Sequence, residues 1–355
     1  MRLVYVNSLK EGMCLGKTIY DPSGTDLLKK GVTLKPNLIN AIHRLGINAI
    51  YIDDDISSGI ELPPVVGERI RNKVVQDVKA FFTSTGHRDD LAKRNRFVEG
   101  MGNIVDDILS EALSDENFSV QLQDFKSFDD PLFNHAVNVC ILSIAIGTEL
   151  NLPKRELVHL SKGAILHDFG KMFVDQNLLN KPEKLTALEL YEVQEYVKKG
   201  HDFIRSAISP SKEVLLCILQ HQEKINGSGY PHHKSGDQIG LLAQIVAISD
   251  VFDAMTSKRP YRAPLSPAEA AEYIMGNVGY QFDYPVVDAF LKRVTVYPLG
   301  AHVKLNTGEI GIVSELKKGY LLRPKIRVVS NTNDIKEIDL SHKDNLHLVI
   351  EKLFS

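Results

Sequence analysis

The sequence lacks several patterns that mark particular classes of protein. It has no tryptophan and only three cysteines among its 355 residues. Cys14, Cys140 and Cys217 lie far apart and show no C-x-x-C spacing, which argues against a disulfide framework. Because Cys140 and Cys217 stand in apolar helical stretches, we expect reduced, buried thiols in a cytoplasmic protein.

Long hydrophobic runs and a large net charge are also absent. No apolar run approaches the roughly 18 residues that suggest a membrane span, and the best one, Val139 to Ile146, is interrupted by Ser143. The first ten residues lack the apolar core of a secretion signal. The net charge is only −3, so a nucleotide site would need a local basic patch. We therefore expect neither a membrane nor a nucleic-acid polymer as a partner.

Composition, together with the positions of turn and helix-capping residues, divides the chain into four predicted parts. Residues 1–62 read as a small α+β regulatory module, and residues 63–127 as a helical connector of mixed charge, which suggests a homodimer. Residues 128–296 are a run of apolar helices, and residues 297–355 form a small β-rich appendage. The predicted fold class is therefore mainly α.

Local signals place several element boundaries. Thr186 and Ser266 are each followed three residues later by glutamate, the capping-box pattern of a helix start. In the C-terminal part, short β-type runs are separated by turn residues. We predict strands at residues 301–305, 310–313, 319–322 and 326–329.

Histidine and aspartate recur at or near the ends of the apolar helices. The positions are His135, the adjacent pair His167 and Asp168, His201, His221 and Asp250. Side chains at the ends of successive helices can converge on one point inside a bundle. Imidazole and carboxylate donors together suit iron, manganese or zinc, whereas magnesium and calcium prefer mainly oxygen.

These residue types suit hydrolysis of a phosphodiester. A carboxylate such as Asp168 can bridge two divalent ions, which would hold a hydroxide between them and clamp the phosphodiester. The alternative is chance, because a chain with 12 histidines places some of them on helices as ordinary core residues. The adjacent His167 and Asp168 favour the metal site, since a buried aspartate needs compensation for its charge.

Three motifs in this region resemble the HD-GYP family of the HD metallohydrolase superfamily. Residues 167–171 read H-D-F-G-K, and residues 221–231 read H-Q-E-K-I-N-G-S-G-Y-P. Residues 250–262 read D-V-F-D-A-M-T-S-K-R-P-Y-R. The resemblance covers about residues 128–296.

The resemblance implies hydrolysis of cyclic di-GMP to linear pGpG, GMP or both, at a site of two divalent ions, commonly iron or manganese. It implies six metal ligands, namely His135, His167, Asp168, His201, His221 and Asp250. Lys171 would contact a phosphate beside the metals. Tyr230, Arg259 and Arg262 would hold the cyclic dinucleotide, and Asp253 would orient a ligand. The predicted mechanism is attack by a metal-bridging hydroxide, with Asp168 and Lys171 as the catalytic residues.

Two departures from the family pattern concern the metals. Gln222 stands where the family usually has a second histidine, which replaces a nitrogen donor by a weak amide oxygen. Pro131 stands where members with a third metal carry a glutamate. We therefore expect at most two ions. Asn226 also replaces the usual aspartate in the G-Y-P loop.

Two other functions are compatible with these residues. The change at Gln222 favours a catalytically degenerate receptor that binds a cyclic dinucleotide, whereas the intact His167, Asp168 and Lys171 favour the enzyme. An HD hydrolase of mononucleotides would use the same metal ligands but would leave the G-Y-P loop unexplained.

Overall fold

The fold is mainly α, as predicted. The computed structural model describes residues 1–20, 25–45, 47, 49–62, 74–80, 82, 91–113, 120–121, 131–179, 181–257, 264–317, 319–329 and 335–354. Its helices are α1 (Pro36–Arg44), α2 (Leu91–Ala112), α3 (Pro131–Glu149), α4 (Lys154–Leu166), α5 (Gln176–Leu179), α6 (Ala187–Gln194), α7 (Tyr196–Ile208), α8 (Lys212–Gln220), α9 (Leu241–Thr256), α10 (Pro267–Gly276) and α11 (Tyr284–Arg293). A further helical stretch covers residues 74–80.

The strands are short and belong mostly to the two ends of the chain. They are β1 (Arg2–Tyr5), β2 (Cys14–Leu15), β3 (Ile19–Tyr20), β4 (Asp26–Leu28), β5 (Ala49–Asp53), β6 (Val120–Gln121), β7 (Val294–Thr295), β8 (His302–Leu305), β9 (Ile310–Glu315), β10 (Lys325–Val329), β11 (Ile335–Asp339) and β12 (Ile350–Leu353).

The chain forms two compact units, and the helical one carries the predicted site. It comprises residues 70–120 and 130–293. Its central helix is α3, in which every residue from Phe133 to Gly147 is buried, because α4 and α9 pack against it. Cys140 and Cys217 are free, buried thiols as predicted, and burial raises the pKa of both to about 12.

Helix α3 also has the length and composition of a membrane span. The stretch Leu132–Glu149 passes that test, and 83% of it is buried inside the protein. Core helices of soluble proteins pass the same test, so this helix is weak evidence for a membrane.

The second unit joins the two ends of the chain. It comprises residues 1–69, 121–129 and 294–355. An antiparallel sheet of order β1-β5-β2 pairs Leu3 with Tyr51, and a five-stranded antiparallel sheet has the order β11-β10-β9-β8-β12. The backbone N–H of Leu3 donates to the Gly300 carbonyl at 2.8 Å, which links the N-terminal strand to the C-terminal segment. The predicted division into four domains stays a prediction.

One predicted strand is wrong. Residues 319–322 form turns, because Gly319 has a φ of +80° and the N–H of Tyr320 donates to the Lys317 carbonyl. Among the described residues after 297, the strands β11 and β12 were not predicted. The strands at residues 301–305, 310–313 and 326–329 are confirmed within one to two residues.

Candidate metal centre

Four of the predicted ligands converge inside the helical unit. The donor atoms of His135, His167, Asp168 and Asp250 all lie within 4.8 Å of one another, and all four residues are buried. Nε2 of His135 lies 3.1 Å from Oδ1 of Asp250 and 3.5 Å from Oδ2 of Asp168. Nε2 of His167 lies 3.4 Å from Oδ2 of Asp168.

These residues come together because each one stands where its helix meets the others. His135 lies in the first turns of α3, and His167 and Asp168 directly follow α4. Asp250 lies on the buried face of α9. Since α3 packs against both α4 and α9, all four side chains reach one point.

The hydrogen bonds of the two histidines fix which nitrogen faces the cluster. Nδ1 of His135 lies 2.6 Å from Oδ2 of Asp253, whose other oxygen accepts from the Asn138 amide at 2.7 Å. Nδ1 of His167 lies 2.6 Å from the Ala164 carbonyl. Because a carboxylate and a carbonyl can only accept, both Nδ1 atoms carry the proton. Each Nε2 therefore faces the cluster, which is the arrangement that prepares histidine for a metal.

Three acceptor atoms of the cluster lack a hydrogen-bond donor. Nε2 of His135, Nε2 of His167 and Oδ1 of Asp168 are buried and have no hydrogen-bond partner among the described residues. Lone pairs facing one another in a buried place cost free energy unless a positive charge lies between them. The imidazole and carboxylate donors suit a transition-metal ion, and the residues present fit such an ion.

The charges of the cluster are strongly coupled. Burial by itself would raise the pKa of Asp168, but the charges of Lys171 and His167 hold it well below its usual range. Burial likewise opposes ionisation of Asp250, whereas a hydrogen bond from His135 brings its pKa below the ordinary value. Burial would lower the pKa of His135, yet the carboxylates beside it, including Asp253, raise it well above its ordinary value. Both aspartates are therefore ionised at neutral pH, and in the absence of a cation His135 takes up a second proton on Nε2, which a metal ion would replace.

His221 lies beside the cluster but makes a different contact. Its Nδ1 lies 2.9 Å from the Ile218 carbonyl, so Nε2 is the acceptor. The hydroxyl of Tyr196 donates to that Nε2 at 2.8 Å, and Nε2 lies 3.8 Å from Oδ1 of Asp168. Burial and the neighbouring His167 lower the pKa of His221 to about 4.

The structure does not bring His201 to the cluster. Its Nδ1 lies 3.0 Å from the exposed carboxylate of Asp202. Helix α7 faces the site with Tyr196 and Gly200, and successive residues of a helix are about 100° apart. His201 therefore points away from the face that carries Tyr196.

Tyr196 is a site residue that the sequence did not reveal. Its side chain is almost fully buried, and burial together with the charge of Asp168 raises its pKa well above the ordinary value. A tyrosine that begins a helix is usually read as a core residue, so only the contact with His221 identifies it.

Gln222 interacts with a predicted ligand. Its Nε2 donates to Oδ2 of Asp250 at 2.9 Å. The nitrogen must face the carboxylate, because two oxygens at that distance would repel each other. Gln222 therefore orients Asp250.

Lys171 and Tyr230 stand at the rim of the site. The ammonium of Lys171 donates to Oδ2 of Asp168 and lies 5.3 Å from the ring centre of Tyr196. Tyr230 packs against Tyr196, and its backbone N–H donates to the Gln222 carbonyl at 3.2 Å. Arg259 and Arg262, the other predicted substrate ligands, lie outside the described residues.

A protein-family model matches the part of the chain that carries the cluster. Residues 112–286 match a family model described as HD domain. This stretch contains all four residues of the cluster, together with Lys171, Tyr196 and Gln222.

The chain also resembles curated phosphodiesterases. It is 38% identical to a cyclic di-GMP phosphodiesterase of Pseudomonas aeruginosa over 226 residues, which cover 64% of this chain and 54% of that protein. It is 30% identical to a 3'3'-cGAMP-specific phosphodiesterase of Vibrio cholerae over 164 residues, which cover 46% of this chain and 35% of that protein. The aligned part thus spans between about a third and about half of the length of these relatives.

Among solved structures, an HDG"Y"P protein from Bdellovibrio bacteriovorus aligns with a TM-score of 0.48 and 18% identity. The alignment covers 81% of this chain and 97% of that chain.

Proposed function

Because residues 112–286 match the HD domain model, we propose that the chain is a metal-dependent phosphodiesterase. Its substrate is a cyclic dinucleotide, with cyclic di-GMP as the first candidate, and its product is pGpG, GMP or both. The observation that carries this proposal is the set of three buried acceptor atoms without partners in one cluster. A bound cation would satisfy all three atoms of this set at once.

The metal would be held by His135, His167, Asp168 and Asp250. A divalent ion in that place supplies positive charge, which lowers the pKa of a water molecule and stabilises charge on phosphoryl oxygens. Asp253 keeps the Nδ1 proton of His135 in place, so that Nε2 stays available as a ligand.

Lys171 is proposed to bind a phosphate oxygen of the substrate. Its side chain is 25% exposed, whereas that of its partner Asp168 is 2% exposed. The ammonium therefore reaches solvent beside the buried cluster, where it can stabilise negative charge that develops on the phosphoryl group.

The remaining substrate contacts are assigned to Tyr230, Arg259 and Arg262. The ring of Tyr230 is partly buried beside Tyr196 and is suited to stack on a base or to bond a phosphate. The two arginines would bind phosphate through their guanidinium groups. The relatives named above for cyclic di-GMP and for 3'3'-cGAMP support a cyclic dinucleotide as the substrate class.

Several finer assignments belong to the same proposal. Iron and manganese are the proposed metals, because the ligands combine nitrogen and oxygen. The second ion of the predicted pair would need His201 and His221 as ligands. A cytoplasmic location agrees with the free thiols, and a homodimer stays a prediction.

A cyclic-dinucleotide receptor without turnover is the alternative function. The observation that favours it is the hydrogen bond of Gln222 to Asp250, because the position that would supply a further nitrogen ligand is used for orientation. Such a protein would retain Lys171 and Tyr230 for binding.

Product analysis separates the two functions. The protein is purified without oxygen, loaded with Fe(II) or Mn(II), and incubated with cyclic di-GMP or with 3'3'-cGAMP. We expect a linear dinucleotide or mononucleotide from at least one of them, and none after treatment with a chelator. Binding of the intact nucleotide without any product would support the receptor and contradict the enzyme.

A further inference from the structure

On the side of the cluster formed by His221, Tyr196 and Gln222, the acceptor atoms already have hydrogen-bond donors within the chain. Nε2 of His221 accepts the hydroxyl proton of Tyr196, whereas Nε2 of His135 and Nε2 of His167 have no partner. The three imidazoles are close, with a ring separation of 5.0 Å between His167 and His221. Only two of them therefore offer a free lone pair to a cation.

The Tyr196 hydroxyl is fixed by its surroundings. The side chain is 2% exposed and packs with Val174 and Val197. The backbone beside it is equally confined, since a Cβ on Gly170 would lie 1.9 Å from the Tyr196 carbonyl oxygen. Both the ring and the backbone of Tyr196 are therefore closely packed where its hydroxyl meets Nε2 of His221.

Gln222 reduces the number of metal-binding atoms on the same side of the cluster, because it occupies one oxygen of Asp250. Its NH₂ group donates to Oδ2 of Asp250, and this group has no lone pair for a cation. An ion that approached this oxygen would meet a donor in place of a ligand. Oδ1 of Asp250, which faces His135 at 3.1 Å, remains available.

The side chains left to coordinate a second ion are weak or already occupied metal ligands. Besides the shared Asp168, the described residues on this side offer His221, the phenol of Tyr196 and the amide of Gln222. His201 bonds to Asp202 instead. A neutral phenol and an amide are poor replacements for imidazole and carboxylate.

We propose that the cluster holds a single ion on His135, His167, Asp168 and Asp250, and that Tyr196 and Gln222 are the residues that exclude a second one. Tyr196 does so by occupying Nε2 of His221, and Gln222 by occupying Oδ2 of Asp250. This inference rests on the proposed function, because it sets the number of ions in the same site. Both are positioning residues.

The test counts metal on the full chain without substrate. The protein is loaded with Mn(II) under anaerobic conditions, free metal is removed, and metal per chain is measured together with the electron paramagnetic resonance spectrum. We expect one ion per chain and the spectrum of an isolated Mn(II). Two ions per chain with a spin-coupled spectrum would overturn the proposal.

Variants identify the excluding residues. Gln222→His supplies a nitrogen donor, and Tyr196→Phe frees Nε2 of His221 while it keeps the packed ring. We expect the double variant to bind two ions and to show the spin-coupled spectrum. A folded double variant that stays at one ion would overturn the roles of the two residues. If the double variant does not fold, Gln222→His alone must rise above one ion per chain at high Mn(II).

A control variant and a second readout keep the inference separate from the proposed function. His201→Ala removes a histidine outside the cluster and should leave the count at one ion. Turnover of cyclic di-GMP is measured on the same samples. One ion per chain without turnover would contradict the proposed phosphodiesterase and support the single-ion site. Two ions per chain with turnover would support the phosphodiesterase and contradict the single-ion site.

Discussion

At the scale of single residues, Asp168 holds the site together. Its Oδ2 accepts from Lys171 and lies 3.4 Å from Nε2 of His167 and 3.5 Å from Nε2 of His135. Its Oδ1 is buried without a hydrogen-bond partner among the described residues. No other described side chain combines these contacts, so Asp168 is the residue on which metal binding should depend most.

Replacement of Asp168 by alanine should abolish metal binding and turnover together. The remaining three ligands would lose the carboxylate that joins both histidines. His201→Ala should keep both properties, since His201 lies outside the cluster. Metal per chain and product formation are measured on the same samples of the Asp168→Ala and His201→Ala variants. Retained turnover in the Asp168 variant would refute the assignment, and loss of metal in the His201 variant would restore His201 as a ligand.

His302 gives a prediction of pH dependence in the other unit. Its Nε2 lies 3.1 Å from Nη1 of Arg2, which can only donate, so His302 accepts and must be neutral. Burial and the charge of Arg2 lower its pKa below the ordinary 6.5, although Asp54 acts in the opposite direction. The unfolded chain therefore binds the proton more readily than the folded protein does. The contribution of neutral His302 to the free energy of unfolding is fully present above pH 6.5. It is lost as the pH falls through the pKa that His302 has in the folded protein.

Titration of the His302 ring by NMR measures this shift directly. We expect a midpoint below 6.5, and a midpoint at or above that value would contradict the contact with Arg2. His302→Gln should still accept from Arg2. It should therefore lose less stability than the wild type when the pH falls from neutral to mildly acidic values, as judged by thermal unfolding.

At the scale of elements, two glycines set the distance between α7 and the turn after α4. A Cβ on Gly170 would lie 1.9 Å from the Tyr196 carbonyl oxygen, and one on Gly200 would lie 2.8 Å from the Gly170 nitrogen. Because neither residue has a side chain, the two segments approach closely. This approach places Tyr196 beside His221.

Gly170→Ala should therefore destabilise the protein and displace Tyr196. Overpacking of this kind costs about 1–3 kcal/mol. Gly102→Ala is the matched control, because it lies within α2 and its Cβ would meet nothing within 4 Å. It should be neutral or stabilising by about 0.5–1 kcal/mol. The midpoint of thermal unfolding, measured for both variants, tests this prediction. An unchanged midpoint for Gly170→Ala would show that the contact between residue 170 and the Tyr196 carbonyl can relax.

Local sequence signals predicted elements well, whereas contacts between distant residues did not follow from them. The capping boxes at Thr186 and Ser266 are confirmed, since a cap depends on residues only three positions apart. Strand β12 was missed because its stability comes from pairing with β8, for example Leu353 with Val303. Tyr196 was missed and His201 was placed in the site for the same reason, because only tertiary packing decides which face of α7 meets His221.

The predicted resemblance is confirmed by the match to the HD domain model and by the similarity to a cyclic di-GMP phosphodiesterase. It predicted the four residues that converge, because motifs report chemistry that is shared by related proteins. It could not predict how Gln222 would be used. A substitution at a ligand position acquires its role from neighbours, in this case the free oxygen of Asp250.

At the scale of the whole molecule, the two ends of the chain belong to one compact unit. Ile60, from the N-terminal part, is 2% exposed and lies in the same hydrophobic core as Val303 and Leu305. Arg327 donates to the Ser58 carbonyl at 2.6 Å. The C-terminal sheet thus depends on residues that precede the helical unit.

Ile60→Ala should destabilise the C-terminal strands as well as their N-terminal neighbours. Removal of a buried isoleucine side chain costs about 2–5 kcal/mol. Hydrogen exchange of the full chain should show faster exchange at residues 302–305 and unchanged protection in α9. Ile56→Ala is the control, because Ile56 is 42% exposed. If faster exchange stayed within residues 1–62, the C-terminal part would be the independent appendage that the sequence predicts.

The most direct test of the central claim is a titration of metal-free protein with Mn(II) while cyclic di-GMP turnover is followed. Bound metal and product are measured at every point under anaerobic conditions. We predict no turnover without metal, a rate that rises in proportion to the bound ion, and a plateau when the cluster is full. Turnover by the metal-free protein, or full occupancy of the cluster without product, would contradict the proposed phosphodiesterase.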